Sequence, residues 1–219
     1  MHRHRRQTGR SEIWWIIPGV VIAALAWYFY PVSEPATPPT LQNATLLPQP
    51  RAIADFHLVD HHGQTLNLAR LRGHWSLLFF GYTHCPDVCP TTLQTLATTL
   101  KRLEAAPGKP ELPQVIFISV DPQRDTPERL ATYVPYFDTR FLGATGKHQE
   151  LEHLARQVGI VYAKSRAGKD GDYLVDHSAA IVLFDPDGRM HAVFGAPHDP
   201  ATLAADLQTI QRHYADTRP

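Results

Sequence analysis

Residues 75–82, WSLLFFGY, form an unbroken apolar run, and this run constrains the fold more than any other feature of the sequence. A run this short, without alternating polar residues, is typical of a β-strand that is covered on both faces. In residues 91–106, leucines then recur at spacings of three and four, which predicts a helix. A covered strand that leads directly into a helix indicates an α/β fold.

The same alternation continues along the chain. Pro127 is expected in the first turn of a helix capped by Asp125 or Thr126, and Gly159 is expected to end another helix. Strands are predicted at 115–120, in a short pair within 53–68 and on both sides of a Pro-Asp-Gly turn within 173–195, and helices at 125–137, 150–159 and 200–214.

Residues 13–30, IWWIIPGVVIAALAWYFY, are apolar and uncharged. A helix of this length reaches about 27 Å, close to the roughly 30 Å hydrocarbon core of a bilayer. Four arginines precede the segment and the first charge after it is Glu34, so the positive-inside rule places residues 1–12 in the cytoplasm. Because no small-residue cleavage site follows, we predict a single-pass anchor in a bacterial inner membrane, with the C-terminal domain in the periplasm or an equivalent compartment.

The segment that follows the apolar stretch is rich in proline. Residues 31–50 contain six prolines, which predicts an extended linker without packed structure over 31–51. One folded domain is then predicted over 52–215. The formal net charge is zero, which argues against nucleic acid as a partner.

The only two cysteines of the chain, Cys85 and Cys89, lie in GYTHCPDVCP, where the apolar strand leads into the helix. Since proline is tolerated only in the first helical turn, Pro90 predicts that the helix starts between Asp87 and Cys89, with one of these two as its cap. The helix N-terminus is expected to lower the thiol pKa and to supply thiolate. A reversible redox disulfide, a reactive thiol pair and a metal-binding pair all remain open at this point.

His177 directly precedes another predicted buried strand and would face the cysteines if that strand neighbours residues 75–82. Two thiolates and one imidazole suit copper, as Cu(I) or Cu(II), whereas structural zinc would require a fourth protein ligand. The chain has 13 histidines, and position alone does not distinguish His177 from a surface or core histidine.

Three segments, GYTHCPDVCPTTL, ISVDPQRDTPE and DHSAAIVLFDPDG, occur in that order behind the apolar stretch. Together they resemble the Sco/SenC family of copper-binding thioredoxin-like proteins. The resemblance implies a thioredoxin-like fold with an inserted hairpin, and one copper per chain held by Cys85, Cys89 and His177. It also implies a metallochaperone that helps to assemble the binuclear copper centre of cytochrome c oxidase, and it leaves a thiol-disulfide reductase activity open.

The expected partners are the copper-centre subunit of a haem-copper oxidase, a copper donor and a thiol reductant outside the cytoplasm. A reductant is expected because an oxidising compartment would close the two cysteines into a disulfide. His84, Asp87 and Asp121 are candidates for supporting the metal ligands or for docking a partner, although a turn is an equally good interpretation of Asp121.

Two other functions fit the same cysteine pair. The first is a thiol-disulfide oxidoreductase that reduces the copper-site cysteines of the client protein. Its usual C-x-x-C motif is one residue shorter than the spacing in this chain. The second is a copper or redox sensor, which would use the same three ligands.

Overall fold

The computed structural model describes residues 18–22, 25, 38–165 and 173–218, and of Asp176 and His177 it describes only the backbone. The chain divides into two compact units, Met1–Pro38 and Pro39–Pro219. In the first unit, residues 18–22 are helical. The predicted cytoplasmic segment 1–12 lies outside the described residues, and so does most of the predicted anchor 13–30. Within the ranges that are described, no helix is both long and apolar enough to cross a membrane.

The second unit contains the strands and helices that position the cysteines. Its strands are β1 (Ala44–Arg51), β2 (Leu58–Asp60), β3 (Thr65–Leu66), β4 (Ser76–Gly81), β5 (Gln114–Ser119), β6 (Leu142–Thr145), β7 (Tyr162–Lys164), β8 (Val175–His177), β9 (Ile181–Phe184) and β10 (Met190–Phe194). Its helices are α1 (Leu68–Leu71), α2 (Val88–Ala105), α3 (Pro127–Tyr133), α4 (His148–Val158) and α5 (Pro200–Thr217), and a 3₁₀ turn spans Val134–Tyr136.

The main sheet has the order β1-β10-β9-β4-β5-β6-β2-β3. Strands β4, β5 and β6 run parallel to one another, and β9 runs antiparallel to β4. Strands β7 and β8 form a separate two-stranded antiparallel sheet, which lies between α4 and β9 in the chain. The alternation of strands and helices confirms the predicted α/β fold.

The centre of the sheet is apolar, as the sequence predicts. Every residue of β4 is buried, including Phe79 and Phe80, which explains why this strand lacks polar alternation. Helix α2 buries its four leucines, at the spacing from which the helix was predicted. Full burial of one such leucine contributes roughly 1.5–3 kcal/mol. The four buried leucines are Leu93, Leu96, Leu100 and Leu103.

The prediction of an extended linker over 31–51 is wrong for the last eight of these residues, because residues 44–51 form strand β1. This edge strand pairs with β10, and a register shift lies between Leu46 and Arg51, next to the prolines in this stretch. Proline is tolerated at such places, where ladder hydrogen bonds are not required. The buried carboxylate of Asp206 on α5 holds the start of the strand, since it accepts the N–H groups of residues 42, 43 and 44 at 2.8–2.9 Å. The folded domain therefore starts before residue 52.

Most of the predicted helix ends agree with the structure. Helix α4 ends at Gly159, whose φ of 73° lies in the left-handed region that favours glycine. Helix α3 has Pro127 in its first turn, and its cap is Thr126, whose side chain accepts the N–H of Arg129. Asp125, the alternative cap, is buried and binds other groups. Strands β6 and β7 and helix α1 were not predicted.

Candidate metal centre

Residues 82–89, hereafter the cysteine segment, connect β4 to α2. Cys85 lies in a turn in which its N–H donates to the carbonyl of Tyr82 at 3.3 Å. Cys89 lies in the first turn of α2, whose N-cap is Asp87. The N–H of Cys89 donates to Sγ of Cys85 at 3.5 Å. The predicted positions of both cysteines are therefore confirmed, and the helix N-terminus supplies a donor to the Cys85 sulfur.

The two thiols differ in exposure. Cys85 is half-buried and Cys89 is fully buried, with 0% of its surface exposed. Burial raises the pKa of the Cys89 thiol, and a hydrogen bond with the backbone of Tyr82 opposes this only in part. The expected lowering of the thiol pKa is therefore wrong for Cys89, because desolvation outweighs the helix N-terminus. The Cys89 thiol therefore keeps its proton more readily than an exposed cysteine does.

Gly81, the last residue of β4, makes room for Cys89. A Cβ atom at this position would lie 2.7 Å from Sγ of Cys89 and 2.8 Å from the ring of Phe117. Both distances are shorter than van der Waals contact. The glycine therefore allows the buried thiol to pack against the strand, a role that was not predicted from the sequence. The available signal was a glycine that ends an apolar strand just before the cysteine pair.

Asp125 fixes the start of the cysteine segment. Its buried carboxylate accepts the N–H of Thr83 at 2.8 Å, the hydroxyl of Thr83 at 2.6 Å and the hydroxyl of Ser119 at 2.6 Å. These bonds join the residue two before Cys85 to the end of β5 and to the turn before α3. The sequence predicts only a capping role for Asp125, because Thr83, which supplies two of these three bonds, is 42 residues away along the chain.

His84 and Asp87 lie on the exposed side of the cysteine segment. Nδ1 of His84 is 3.2 Å from the hydroxyl of Thr83 and 3.7 Å from Oδ1 of Asp125, and 45% of the side chain is exposed. The carboxylate of Asp87 accepts the hydroxyl of Thr91 at 3.3 Å. Both contacts support the cysteine segment, and the side chains of His84 and Asp87 remain exposed.

Asp121 belongs to a second polar cluster, at the end of β5. Its fully buried carboxylate accepts the hydroxyl of Tyr173 at 2.6 Å and pairs with Nε of Arg124, and Nζ of Lys164 lies 3.5 Å away. Burial opposes ionisation, but the bonds from Tyr173 and Arg124 prevail and hold the pKa of Asp121 below its usual value. Asp121 therefore joins the β5–α3 turn to β7 and to the residue that leads into β8.

The strand of His177 lies at the same end of the sheet as the cysteine segment. Strand β9 pairs with β4, as the prediction for His177 required, and Ile181 at its start is opposite Phe79. The hydroxyl of Tyr82 hydrogen-bonds to the backbone of Val175. His177 lies two residues further along β8, with its backbone opposite that of Tyr162. The structure thus brings the backbone of β8, the strand of His177, close to the cysteine segment.

The described side chains place two soft sulfur donors together. Cys89 also hydrogen-bonds to the side chain of Cys85, so the two sulfurs are neighbours that could take one metal ion or one disulfide. Among the side chains that are described, no group of three or more His, Cys, Asp and Glu residues could hold a metal. The imidazole of His177, the predicted third ligand, lies outside that description.

Known proteins share this arrangement of sequence and fold. The SCO1/SenC family profile matches residues 44–212. The mouse (Mus musculus) protein SCO2 homolog, mitochondrial, is 42% identical over 161 residues, which cover 74% of this chain and 62% of the mouse protein. The chain thus spans about three fifths of the length of the curated relatives it matches, such as the mouse and human SCO2 homologs.

Two solved structures with copper bound are also similar to this chain. ScoI of Arabidopsis thaliana is 35% identical with a TM-score of 0.69, and the match covers 74% of this chain and 98% of the plant chain. ScoI of Bradyrhizobium japonicum is 40% identical with a TM-score of 0.62, and the match covers 70% of this chain and 96% of the bacterial one. These matches confirm the predicted thioredoxin-like α/β fold.

Proposed function

The chain belongs to the SCO1/SenC family, and from this premise we propose that it is a copper metallochaperone for cytochrome c oxidase. It binds one copper ion through Cys85, Cys89 and His177 and passes the ion to the copper-centre subunit of the oxidase. The observation that carries this proposal is the pair of neighbouring thiols at the start of α2, at the same sheet end as the strand of His177.

Copper fits this donor set better than harder metals do. Thiolates are soft ligands that favour Cu(I), and an imidazole extends the set to one that also suits Cu(II). The raised pKa of the buried Cys89 thiol means that the positive charge of the ion must help to remove the proton. Copper uptake therefore releases protons and is favoured by rising pH.

Transfer to a client begins at Cys85, because this thiol is the more exposed of the two. A client thiolate can replace Cys85 on the copper while the buried Cys89 still holds the ion. Shared-ligand intermediates of this kind move copper without releasing it into solution. A thiol reductant outside the cytoplasm keeps the pair open, since a disulfide between Cys85 and Cys89 would not bind the metal.

We expect the reduced protein to bind one equivalent of copper per chain. The measurement is metal analysis after gel filtration of protein that was reduced, loaded with Cu(I) or Cu(II) and freed of excess ion. The oxidised protein serves as a matched control and should bind none at this site. A reduced protein that retains no copper above the oxidised control would contradict the proposal.

The metallochaperone is held at a bacterial inner membrane by residues 13–30, and its folded domain faces the periplasm. The support is the uncharged apolar stretch with arginines on its N-terminal side only. A reporter that is active only outside the cytoplasm, fused after Pro219, should therefore be active. Activity of the matched cytoplasmic reporter instead would overturn this orientation. A soluble chain that begins after Tyr30 would overturn the anchor.

A further inference from the structure

Strand β8, which carries His177, is outside the main sheet. Its ladder hydrogen bonds go to β7, so the pairing holds β7 and β8 together but does not attach them to the body of the domain. Side-chain contacts must therefore determine how closely β8 approaches the cysteine segment. The described residues contain a cluster at this junction, made of Tyr82, Asp121, Arg124, Lys164 and Tyr173.

Arg124 lies at the centre of this cluster. Its guanidinium carbon is 3.7 Å from the ring centroid of Tyr173 and 5.6 Å from that of Tyr82. Its Nη1 also donates to the carbonyl of Tyr173 at 3.2 Å. Cation–π contacts of this kind strengthen when water is excluded, and only 19% of the Arg124 side chain is exposed. One side chain therefore contacts a ring in the cysteine segment and a ring at the entrance to β8.

The body of the domain holds Arg124 in place. Asp121, which is fully buried, pairs with its Nε and accepts the hydroxyl of Tyr173 at 2.6 Å. Lys164 on β7 donates to the same Tyr173 hydroxyl at 3.3 Å and lies 4.6 Å from the ring centroid. Lys164 on β7 and Tyr173 before β8 are thus both joined to the buried carboxylate of Asp121, and Arg124 links this group to Tyr82.

We propose that Arg124 is a positioning residue that holds the strand of His177 against the cysteine segment. The expected effect on copper binding rests on the proposed function. If His177 is a copper ligand, the Arg124 contacts determine how close its strand lies to the two thiols. Cu(I) is held adequately by two thiolates, whereas Cu(II) prefers additional nitrogen or oxygen ligands. Loss of the Arg124 contacts should therefore weaken Cu(II) binding much more than Cu(I) binding.

The test compares Arg124→Met and Arg124→Lys with the wild-type full chain. Arg124→Lys keeps a charge beside Asp121 but loses the planar stack, so it remains informative if Arg124→Met fails to fold. Arg140→Met is the matched control, because Arg140 pairs with Glu104 and Asp138 and not with residues of this cluster. Cu(I) and Cu(II) affinities are measured on each protein, together with the Cu(II) electron paramagnetic resonance spectrum.

We expect the Arg124 variants to lose about 10- to 100-fold in Cu(II) affinity, with an altered Cu(II) spectrum and a much smaller change for Cu(I). The Arg140→Met protein should behave like wild type. Equal losses for both oxidation states, or an unchanged Cu(II) affinity and spectrum, would show that Arg124 does not position the histidine.

A second measurement needs no metal. Amide hydrogen exchange at β8 in the reduced, copper-free protein should be about 2- to 30-fold faster in the Arg124 variants and unchanged in Arg140→Met. Unchanged exchange at β8 would overturn the positioning role. A wild-type protein that binds no copper would overturn the proposed function instead, while this measurement would still decide whether Arg124 holds the strand.

Discussion

Replacing His177 by alanine is expected to lower Cu(II) affinity by more than about 100-fold, because it removes one of three ligands and not merely a supporting contact. Cys85→Ser and Cys89→Ser should lose tight binding as well. Oxidase maturation should fail in all three variants. The measurements are copper content, disulfide reduction and the amount of assembled binuclear copper centre, made on the same three proteins.

The three variants also separate a metallochaperone from a thiol-disulfide oxidoreductase. In a reductase, electrons pass between the sulfurs, so His177→Ala would keep most activity while both serine variants would lose it. A metallochaperone should fail in all three cases, although its His177→Ala protein can still form and break the disulfide. A His177→Ala protein that binds Cu(II) as tightly as wild type, or matures its oxidase normally, would rule out our assignment.

Replacing Asp125 by alanine is expected to lower the free energy of unfolding by about 3–5 kcal/mol. The change leaves one buried N–H and two buried hydroxyls without their acceptor, and each such group costs about 1–3 kcal/mol. The affected groups are the N–H and hydroxyl of Thr83 and the hydroxyl of Ser119. The measurement is denaturant unfolding of the reduced, copper-free protein.

Two further variants make the Asp125 result specific. Asp125→Asn retains one acceptor oxygen and should lose less stability than Asp125→Ala. Glu104→Ala removes a half-exposed carboxylate that pairs with Arg140, and it should cost less than about 1 kcal/mol. If Asp125→Ala were as stable as Glu104→Ala, the hydrogen bonds to Thr83 and Ser119 would not be what holds the cysteine segment.

The parts of the fold that depend on neighbouring residues could be predicted from the sequence. Strand β4, helix α2 and the glycine end of α4 follow from apolar spacing and from the backbone preferences of proline and glycine, which act over a few residues. The placement of Cys85 before the helix and Cys89 in its first turn follows in the same way from Pro90. The ligand set came from resemblance to a family, and position alone did not select His177.

Features that depend on contacts between distant residues could not be predicted from the sequence and are seen only in the tertiary structure. Residues 44–51 form a strand because Asp206, more than 160 residues away, accepts the N–H groups at its start. The Cys89 thiol has a raised pKa because the sheet buries it beside Gly81, which a helix-terminus argument does not include. Arg124 likewise contacts Tyr82 and Tyr173, about forty residues before it and fifty after it. Local patterns determine the central strands and the long helices, whereas burial and long-range hydrogen bonds, which set the chemistry of the thiols, exist only once the strands are assembled.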